Sequence, residues 1–282
     1  MGSIVITGLH DNNGSIIGYS KVTRDLTKRK AAEDQMAQSL NELEFRNKEL
    51  EQFANVASHD LQEPLRKIQT FAELLGKNLD DKAAIEKNLE RINSSAQRMS
   101  ALVKDILSYS RLANTDSQFT EVDLNKVFQT IKNNFEHQII QKKVVIKSEK
   151  LPVIRGNMIQ LHQLFSNLIS NSLKFTSDRQ PEITISSEFI SGDRLKNNIP
   201  LNSGTTYIKL IFKDNGIGFE HQYAEVIFKL FQRLNGIKNY KGNGIGLGIC
   251  RKIVENHHGF ITAAGEPGKG ATFTIYMPKG KG

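Results

Sequence analysis

A histidine beside an aspartate, in the segment SHDLQEPLRK, is the first candidate for chemistry in this sequence. The imidazole of His59 is a usable nucleophile wherever it faces solvent. Neighbouring Asp60 could accept a hydrogen bond from one ring nitrogen and leave the other free to attack phosphorus, which makes Asp60 the candidate general base. An ordinary exposed histidine beside an ordinary acid would explain the same two residues, so the pair alone does not decide its role.

Two asparagines and a lysine recur at helical spacing in the segment NLISNSLKF. Asn167 and Asn171 are four residues apart, and Lys174 lies a further turn along, so the three side chains share one helix face. A carboxamide oxygen and an ammonium group aligned in this way can hold Mg²⁺ and a phosphate chain. A solvated polar face is the alternative interpretation of the same spacing.

An aspartate followed by two spaced glycines forms the segment KDNGIGF. Asp214 is predicted to stand at the end of a strand, where its carboxylate could accept a hydrogen bond from the amino group of an adenine. Gly216 and Gly218 would let the backbone approach the base without a Cβ in the way. A tight turn after a strand would account for the same residues.

Glycines 242, 244, 246 and 248 alternate with other residues in GNGIGLGI, directly before a predicted helix. Free backbone amides and the positive end of a helix suit phosphate oxygens. No Gly-Lys-Ser/Thr follows, which excludes a Walker loop, and without βαβ context a dinucleotide fold is not favoured. The polar stretch 235–241 is typical of a mobile lid over a nucleotide. A later glycine turn, residues 268–273, leads into a strand, and structure alone could explain it.

The elements that must position these residues begin with a hairpin, because β-type runs at 3–9 and 15–23 flank a turn signal rich in Asn, Asp and Gly. Two strands cannot bury a core alone, so the hairpin is predicted to end a domain that starts upstream. From Lys28 to about Asn78 the composition is helical, with coiled-coil spacing. The seam positions are Met36, Leu40, Leu43, Asn47, Leu50, Ala54, Ala57 and Leu61.

A second apolar stripe, over about 82–113, predicts another long helix after a turn near 76–81. Two such helical hairpins pair naturally into a four-helix bundle, and the polar seam residue Asn47 favours a parallel dimer. If Ala57 faces the seam, His59 lies near the outermost heptad position and faces solvent. A polar linker, residues 114–118, ends this unit.

Beyond the linker the pattern is mixed α and β. Helices on one face of a mixed sheet predict an α+β sandwich. The fold class is therefore a multidomain chain, with an all-α helical hairpin that forms a dimeric four-helix bundle, followed by the sandwich. The predicted helices are 124–141, 157–175 and 246–258, and the predicted strands are 144–148, 182–189, 207–214, 260–264 and 271–277.

The bulk composition excludes several classes of protein. The 282 residues are 38% apolar and 24% charged, as in an ordinary globular chain. Despite a net charge of +8, the cations are spread along the sequence and there is no Trp, which favours a solvated basic surface over a nucleic-acid site. No stretch approaches the roughly 20 apolar residues of a membrane span, and no export signal opens the chain. With Cys250 as its single cysteine, we predict a cytoplasmic protein.

In this order and spacing, the motifs resemble the phosphoacceptor and ATP-binding boxes of sensor histidine kinases, whose ATP domain is of the Bergerat type shared with gyrase and Hsp90. The resemblance implies that His59 is the phosphoacceptor with Asp60 as its base partner, and that ATP and Mg²⁺ are the cofactors. Asn171 would bind the metal ion with Asn167 beside it, and Lys174 would meet phosphate. Phe228 and Phe231 match residues that flank the lid. The nucleotide-binding positions implied are Asn167, Asn171, Lys174, Asp214, Gly216, Gly218, Gly242, Gly244, Gly246, Leu247 and Thr272.

The resemblance also implies a domain plan. Residues 1–27 resemble the end of a PAS sensor domain, and 28–58 form a coiled-coil signalling helix. Dimerisation and phosphoacceptor functions are assigned to 50–114, and the catalytic ATP-binding domain to 119–279. The implied partners are a second copy of the chain and the receiver domain of a response regulator, which is expected on a separate protein or a domain outside this sequence.

One residue departs from the family pattern. Four positions after the histidine, where many members have Thr or Asn, this chain has Glu63, which puts dephosphorylation of the partner in doubt. We therefore expect His59 mainly to donate phosphate onward.

Two other functions fit parts of the sequence. A Bergerat-type clamp or chaperone ATPase would use the helical hairpin only to dimerise, and would release phosphate without becoming labelled. A signalling scaffold with a degenerate nucleotide site would not bind ATP. Intact Asn171, Asp214 and glycines argue against the scaffold.

Overall fold

The structure is a computed structural model that describes residues 2–25, 27–77, 81–112, 119–194, 202, 204–232, 234 and 243–280. The chain divides into two compact units, residues 1–58 and 59–282. The first unit contains strand β1 (Gly2–His10), strand β2 (Ile16–Asp25) and the beginning of helix α1 (Thr27–Lys77). The second unit contains the rest of α1 and all later elements.

The predicted N-terminal hairpin is confirmed. Strands β1 and β2 pair antiparallel, and the side chain of Asp11 accepts hydrogen bonds from the amides of Asn13 and Ser15 in the turn, both at 2.8 Å. This pair forms a two-stranded sheet with apolar side chains exposed on both faces. The exposed residues are Ile4, Val5, Ile6, Leu9, Ile16, Ile17, Tyr19 and Val22.

Both predicted long helices are present. Helix α1 has 51 residues and continues through Pro64, and helix α2 spans Lys82–Leu112. The seam residues Met36, Leu40 and Leu43 are exposed along α1 in this single chain. The predicted linker 114–118 lies outside the described residues. No helix in the described ranges is long and apolar enough to cross a membrane.

The mixed α and β part is built on a five-stranded sheet with the order β4-β6-β7-β9-β8. The β4–β6 pair is parallel and the other pairs are antiparallel, as expected of a mixed sheet. The elements are β3 (Thr120–Asp123), α3 (Leu124–Asn134), α4 (Glu136–Gln141), β4 (Val145–Ser148), β5 (Val153–Gly156), α5 (Met158–Lys174), β6 (Glu182–Ser191), β7 (Thr206–Asp214), α6 (Gly246–Asn256), β8 (Phe260–Glu266) and β9 (Gly270–Pro278).

One apolar core joins the sheet to the helices that cover it. Alternate residues of the strands point inward, and the rings of Phe165 on α5 and Phe212 on β7 meet edge to face at 4.8 Å. The last turns of α2 enter the same core through Leu102 and Leu112, both buried. The predicted sandwich is confirmed, and the end of the helical hairpin packs against it.

Two parts of the sandwich differ from the prediction. The helix expected over 124–141 is interrupted at Phe135, whose backbone (φ −101°, ψ 7°) leaves helical values while its side chain packs against the core. Strands β3 and β5 were not predicted. They pair antiparallel in a separate two-stranded sheet, and each has only four residues, too few for a clear alternating pattern.

A buried histidine fixes the two helices that carry most of the candidate site. The backbone amide of Asn157, the N-cap residue of α5, donates to Nε2 of His257 over 3.0 Å. Because Nε2 accepts, the ring proton lies on Nδ1, which donates to the carbonyl of Ile253 in α6 over 2.7 Å. Burial lowers the pKa of His257. The neutral ring therefore joins the start of α5 to the end of α6.

We predict that the free energy of unfolding falls as the pH drops below the ordinary histidine pKa of 6.5. With a lowered pKa in the fold, the unfolded chain binds the extra proton first, so stability is full above 6.5 and is lost toward lower pH. Chemical denaturation of His257→Gln between pH 5 and 8 should show a shallower dependence than the parent chain. The exposed His137, changed to Gln, is the matched control, and an equal slope in all three proteins would contradict the assignment.

Candidate functional site

A cavity of about 330 Å³ opens between α5, the ends of β7 and β9, and the N-terminus of α6. Its volume lies within the range of small-molecule sites. Most of the residues that the sequence analysis proposed for a nucleotide meet there. These are Asn167, Asn171, Lys174, Asp214, Gly218, Gly244, Gly246 and Leu247.

Asp214 is the buried acid of this cavity, with 9% of its surface exposed. Its Oδ1 accepts from the amides of Gly216 (2.9 Å) and Ala271 (3.2 Å), and its Oδ2 accepts from the Ser172 hydroxyl (3.2 Å). Burial raises the pKa of Asp214, and the three donors act in the opposite direction. A carboxylate has about four acceptor positions, so it can still accept from a ligand.

The glycines after Asp214 form a wall that has no room for side chains. A Cβ added to Gly216 would lie 2.1 Å from the carbonyl oxygen of Phe175. Gly218 has φ +63°, and its added Cβ would lie 2.0 Å from the carbonyl oxygen of Glu266. The chain can pass this close to its own carbonyl groups only as glycine. Approach of these glycines to a base stays a prediction. Gly216 shapes the site through its amide and is not part of the cavity lining.

The other end of the cavity is polar. The Asn167 amide donates to the carbonyl of Gly246 over 3.1 Å, which links α5 to the first turn of α6. The N-cap position of α6, Ile245, makes no side-chain capping bond, so the first-turn amides keep their capacity to bind an anion. Asn171 and Lys174 line the cavity from the next turns of α5. This end suits phosphate oxygens.

Among the remaining predicted residues, only Thr272 is described in a position that differs from the prediction. Gly242 and the predicted lid, 235–241, lie outside the described residues. Thr272 does not line the cavity, whereas Ala271 and Phe273 do, because successive residues of β9 point to opposite faces of the sheet. Phe228 is buried in the core and lies under the guanidinium of Arg251, 4.7 Å from its ring centre.

Several lining residues were missed by sequence reasoning. Ser170 adjoins the predicted Asn171, and Asn243 stands between two predicted glycines, so both were within reach of the motifs. Asp105 carries no such signal, since it comes from α2 of the helical hairpin. Its Oδ2 accepts from the Asn243 amide over 2.9 Å, and burial raises the pKa of the Asp105 carboxyl.

His59 is exposed, as the heptad phase predicted, with 78% of its side chain accessible. Its Nδ1 lies 3.2 Å from Oδ1 of Asp60, which leaves Nε2 open to solvent. Glu63, one turn later, pairs with Lys67, and this hydrogen bond and charge hold the pKa of Glu63 below its usual value. His59 is not among the described residues that line the cavity.

Two protein families match parts of the chain. Residues 49–115 match the His Kinase A (phospho-acceptor) domain, and residues 156–281 match the family of histidine kinase-, DNA gyrase B- and HSP90-like ATPases. The first range contains His59, and the second contains every residue proposed above for the nucleotide.

Curated relatives match along most of the chain. The phytochrome-like protein Cph1 of Synechocystis is 35% identical over 270 residues, which are 94% of this chain and 34% of that protein. Cyanobacterial phytochrome B of Nostoc is 38% identical over 85% of this chain and 31% of that protein. The methanogenesis regulatory histidine kinase FilI of Methanothrix harundinacea is 29% identical over 94% of this chain. The chain spans about a third of the length of these relatives.

Solved structures share the fold. Histidine kinase ThkA, in complex with the response regulator protein TrrA, aligns with a TM-score of 0.58 at 21% identity, over 98% of this chain and 74% of that one. Histidine kinase AdeS of Acinetobacter baumannii aligns with a TM-score of 0.56 at 19% identity, over 79% of this chain and 98% of that one. With the phosphoacceptor and ATPase modules in succession on one polypeptide, the chain belongs to the sensor histidine kinases.

Proposed function

We propose that this chain transfers the γ-phosphoryl group of Mg-ATP to His59 and then to an aspartate in the receiver domain of a response regulator. The observation that carries the proposal is the convergence of Asp214, Asn171, Lys174 and the N-terminus of α6 on one cavity. The same chain presents the exposed imidazole of His59. Its Nδ1 faces the Asp60 carboxylate, and its Nε2 is open to solvent. The ThkA–TrrA complex supports the choice of partner.

The cavity would orient ATP by its two ends. Asp214 would accept a hydrogen bond from the adenine amino group, and Phe273 and Ile217 supply apolar contact around the ring. Ala271 takes the place that we expected for Thr272. Lys174 and the α6 amides would hold the phosphates and so fix the direction in which the triphosphate lies.

The donors present fit a magnesium ion that is bound mainly through phosphate and water. No group of three or more His, Cys, Asp or Glu side chains that could hold a metal ion occurs among the described residues. Mg²⁺ commonly uses one or two protein oxygens plus substrate phosphates, and the Asn171 side-chain oxygen on the cavity wall is such a donor. When bound, the ion would neutralise charge on the phosphates.

His59 has the tautomer and exposure that phosphoryl transfer needs. Asp60 accepts a hydrogen bond from the protonated Nδ1, so Nε2 carries the lone pair that attacks the γ-phosphorus. The new N–P bond forms as the bond to the bridging oxygen breaks, and ADP leaves. Asp60 then stabilises the positive charge on the ring. In the second step the N–P bond breaks as an aspartate oxygen of the receiver bonds to phosphorus.

A parallel homodimer through the helical hairpins is the assembly that we propose. Exposed apolar side chains follow the predicted seam at Met36, Leu40 and Leu43, which is typical of a helix that pairs with a second copy. The bundle helices likewise expose Leu65 and Leu89. Membership of the family, whose phosphoacceptor domain this chain contains, supports the same assembly.

Further assignments remain predictions. The hairpin at 2–25 has apolar residues on both faces, as expected of strands from a larger sheet, which agrees with a PAS remnant. The domain boundaries 1–27, 28–58, 50–114 and 119–279, a cytoplasmic location and the direction of transfer with Glu63 in place belong to the same proposal.

Incubation with γ-³²P-ATP and Mg²⁺ should label the chain with acid-labile phosphate, and His59→Gln should abolish the label because no other nitrogen replaces Nε2. The affinity for ATP should stay within about twofold, since His59 does not line the cavity. The exposed His137→Gln is the matched control and should label normally. Steady release of free phosphate without labelling would instead indicate a clamp-type ATPase.

Asp214→Asn should weaken ATP binding about 10- to 100-fold, because the amide offers a donor where the adenine amino group needs an acceptor. Inosine triphosphate, which has an oxygen in place of that amino group, separates recognition from damage to the fold. The parent chain should prefer ATP, and the variant should lose or invert this preference in calorimetric titrations. An equal loss for both nucleotides would mean that Asp214 only supports the fold.

A further inference from the structure

A carboxylate from the helical hairpin lies in the wall of the nucleotide cavity. Asp105 is part of α2, yet it lines the cavity together with Asn243, Gly244 and Gly246 from the glycine segment. It is half-buried, and its Oδ2 accepts a hydrogen bond of 2.9 Å from the Asn243 side-chain amide. We name the Asp105–Asn243 pair the clasp.

The clasp occupies the polar end of the cavity. Asn243 immediately precedes Gly244 and the N-terminus of α6, whose amides suit phosphate oxygens. A carboxylate at this position already uses the neighbouring donor, and its negative charge would repel a triphosphate that approaches the same donors. Burial raises the pKa of the Asp105 carboxyl, and the hydrogen bond from the Asn243 amide offsets part of this effect. Opening the clasp therefore also leaves a half-buried acid without that donor.

A second hydrogen bond between α2 and α6 couples the clasp to docking of the hairpin. The Asn256 amide, at the end of α6, donates to the carbonyl of Leu112 in the last turn of α2 over 2.9 Å. Leu102 and Leu112 are buried on either side of Asp105 along the helix. Helix α2 is thus held to both ends of α6, by Asn243 just before the start of α6 and by Asn256 at the end of α6.

From these contacts we propose that Asp105 is a nucleotide-selectivity residue, supplied by the hairpin, that competes with ATP phosphates for the Asn243 end of the cavity. The inference rests on the proposed ATP site and adds a means by which the hairpin controls ATP binding there. Docking of α2 and binding of the triphosphate oppose each other, and by linkage each weakens the other by the same factor.

The first test is charge removal by Asp105→Asn, which keeps the size and a hydrogen-bond acceptor. Calorimetry on the 282-residue chain should show Mg-ATP binding tighter by about 3- to 30-fold, Mg-ADP by less, and adenosine unchanged. The gain should follow phosphate charge because repulsion by Asp105 is what the variant removes. Glu90→Gln is the matched control, since it removes one negative charge from an exposed position of the same helix.

A second test needs no nucleotide. Asp105→Ala should increase amide hydrogen exchange in residues 243–249 by about threefold or more over the Glu90→Gln chain, because Asn243 loses its anchor to α2. This arm separates the clasp from the proposed function. Loss of phosphate labelling in every protein would overturn the kinase assignment, and the exchange result would still decide whether the clasp holds the segment.

Two results would overturn the proposal. One is that Asp105→Asn and Glu90→Gln bind Mg-ATP with the same affinity as the parent chain. The other is an equal gain for adenosine and Mg-ATP, which would show that Asp105 restricts access to the cavity without opposing the phosphates. If the parent binds no nucleotide and Asp105→Asn does, the competition is supported in its strongest form, and if neither binds, both proposals fall.

Discussion

The site depends on one buried carboxylate and on the backbone that surrounds it. Asp214 ends β7, where withdrawal from water would be costly without donors. Those donors come from three elements: Ser172 on α5, Ala271 on β9 and Gly216 in the turn that follows β7. The buried carboxylate finds all three donors only if these elements meet in register, so the adenine-side wall of the cavity depends on the whole sheet.

The polar end depends on the junction between α5 and α6. Asn167 links the start of α6 to the middle of α5, and His257 links the end of α6 to the start of α5. The two helices are therefore fixed antiparallel at both ends of α6, and the first turn of α6 lies beside Asn167, one helical turn from Asn171 on α5. A shift of either helix along its axis would separate the phosphate-binding groups.

Sequence periodicity was enough to find the groups that lie on regular elements. Asn167 and Asn171 share a helix face at a spacing of four, Asp214 follows a clear strand, and the heptad phase placed His59 outward, as found. Prediction failed where the outcome depends on pairing between distant segments. The four-residue strands β3 and β5 are too short to show alternation, and the phase of β9, which turns Ala271 and not Thr272 to the cavity, is set by its neighbours.

Asp105 shows the same limit at longer range, since no local pattern tells that a residue of the hairpin will meet a glycine segment 138 positions later. The size of this contact fits a control function. A hydrogen bond to a charged group contributes about 1.5–3 kcal/mol, whereas a nucleotide bound at micromolar concentration gains about 8 kcal/mol. Nucleotide binding can therefore open the clasp, but at a cost of roughly ten- to a hundredfold in affinity. A contact of this strength weakens nucleotide binding without preventing it. A rearrangement of α2 that moves Asp105 by a few ångströms would remove this penalty and raise the affinity for the nucleotide.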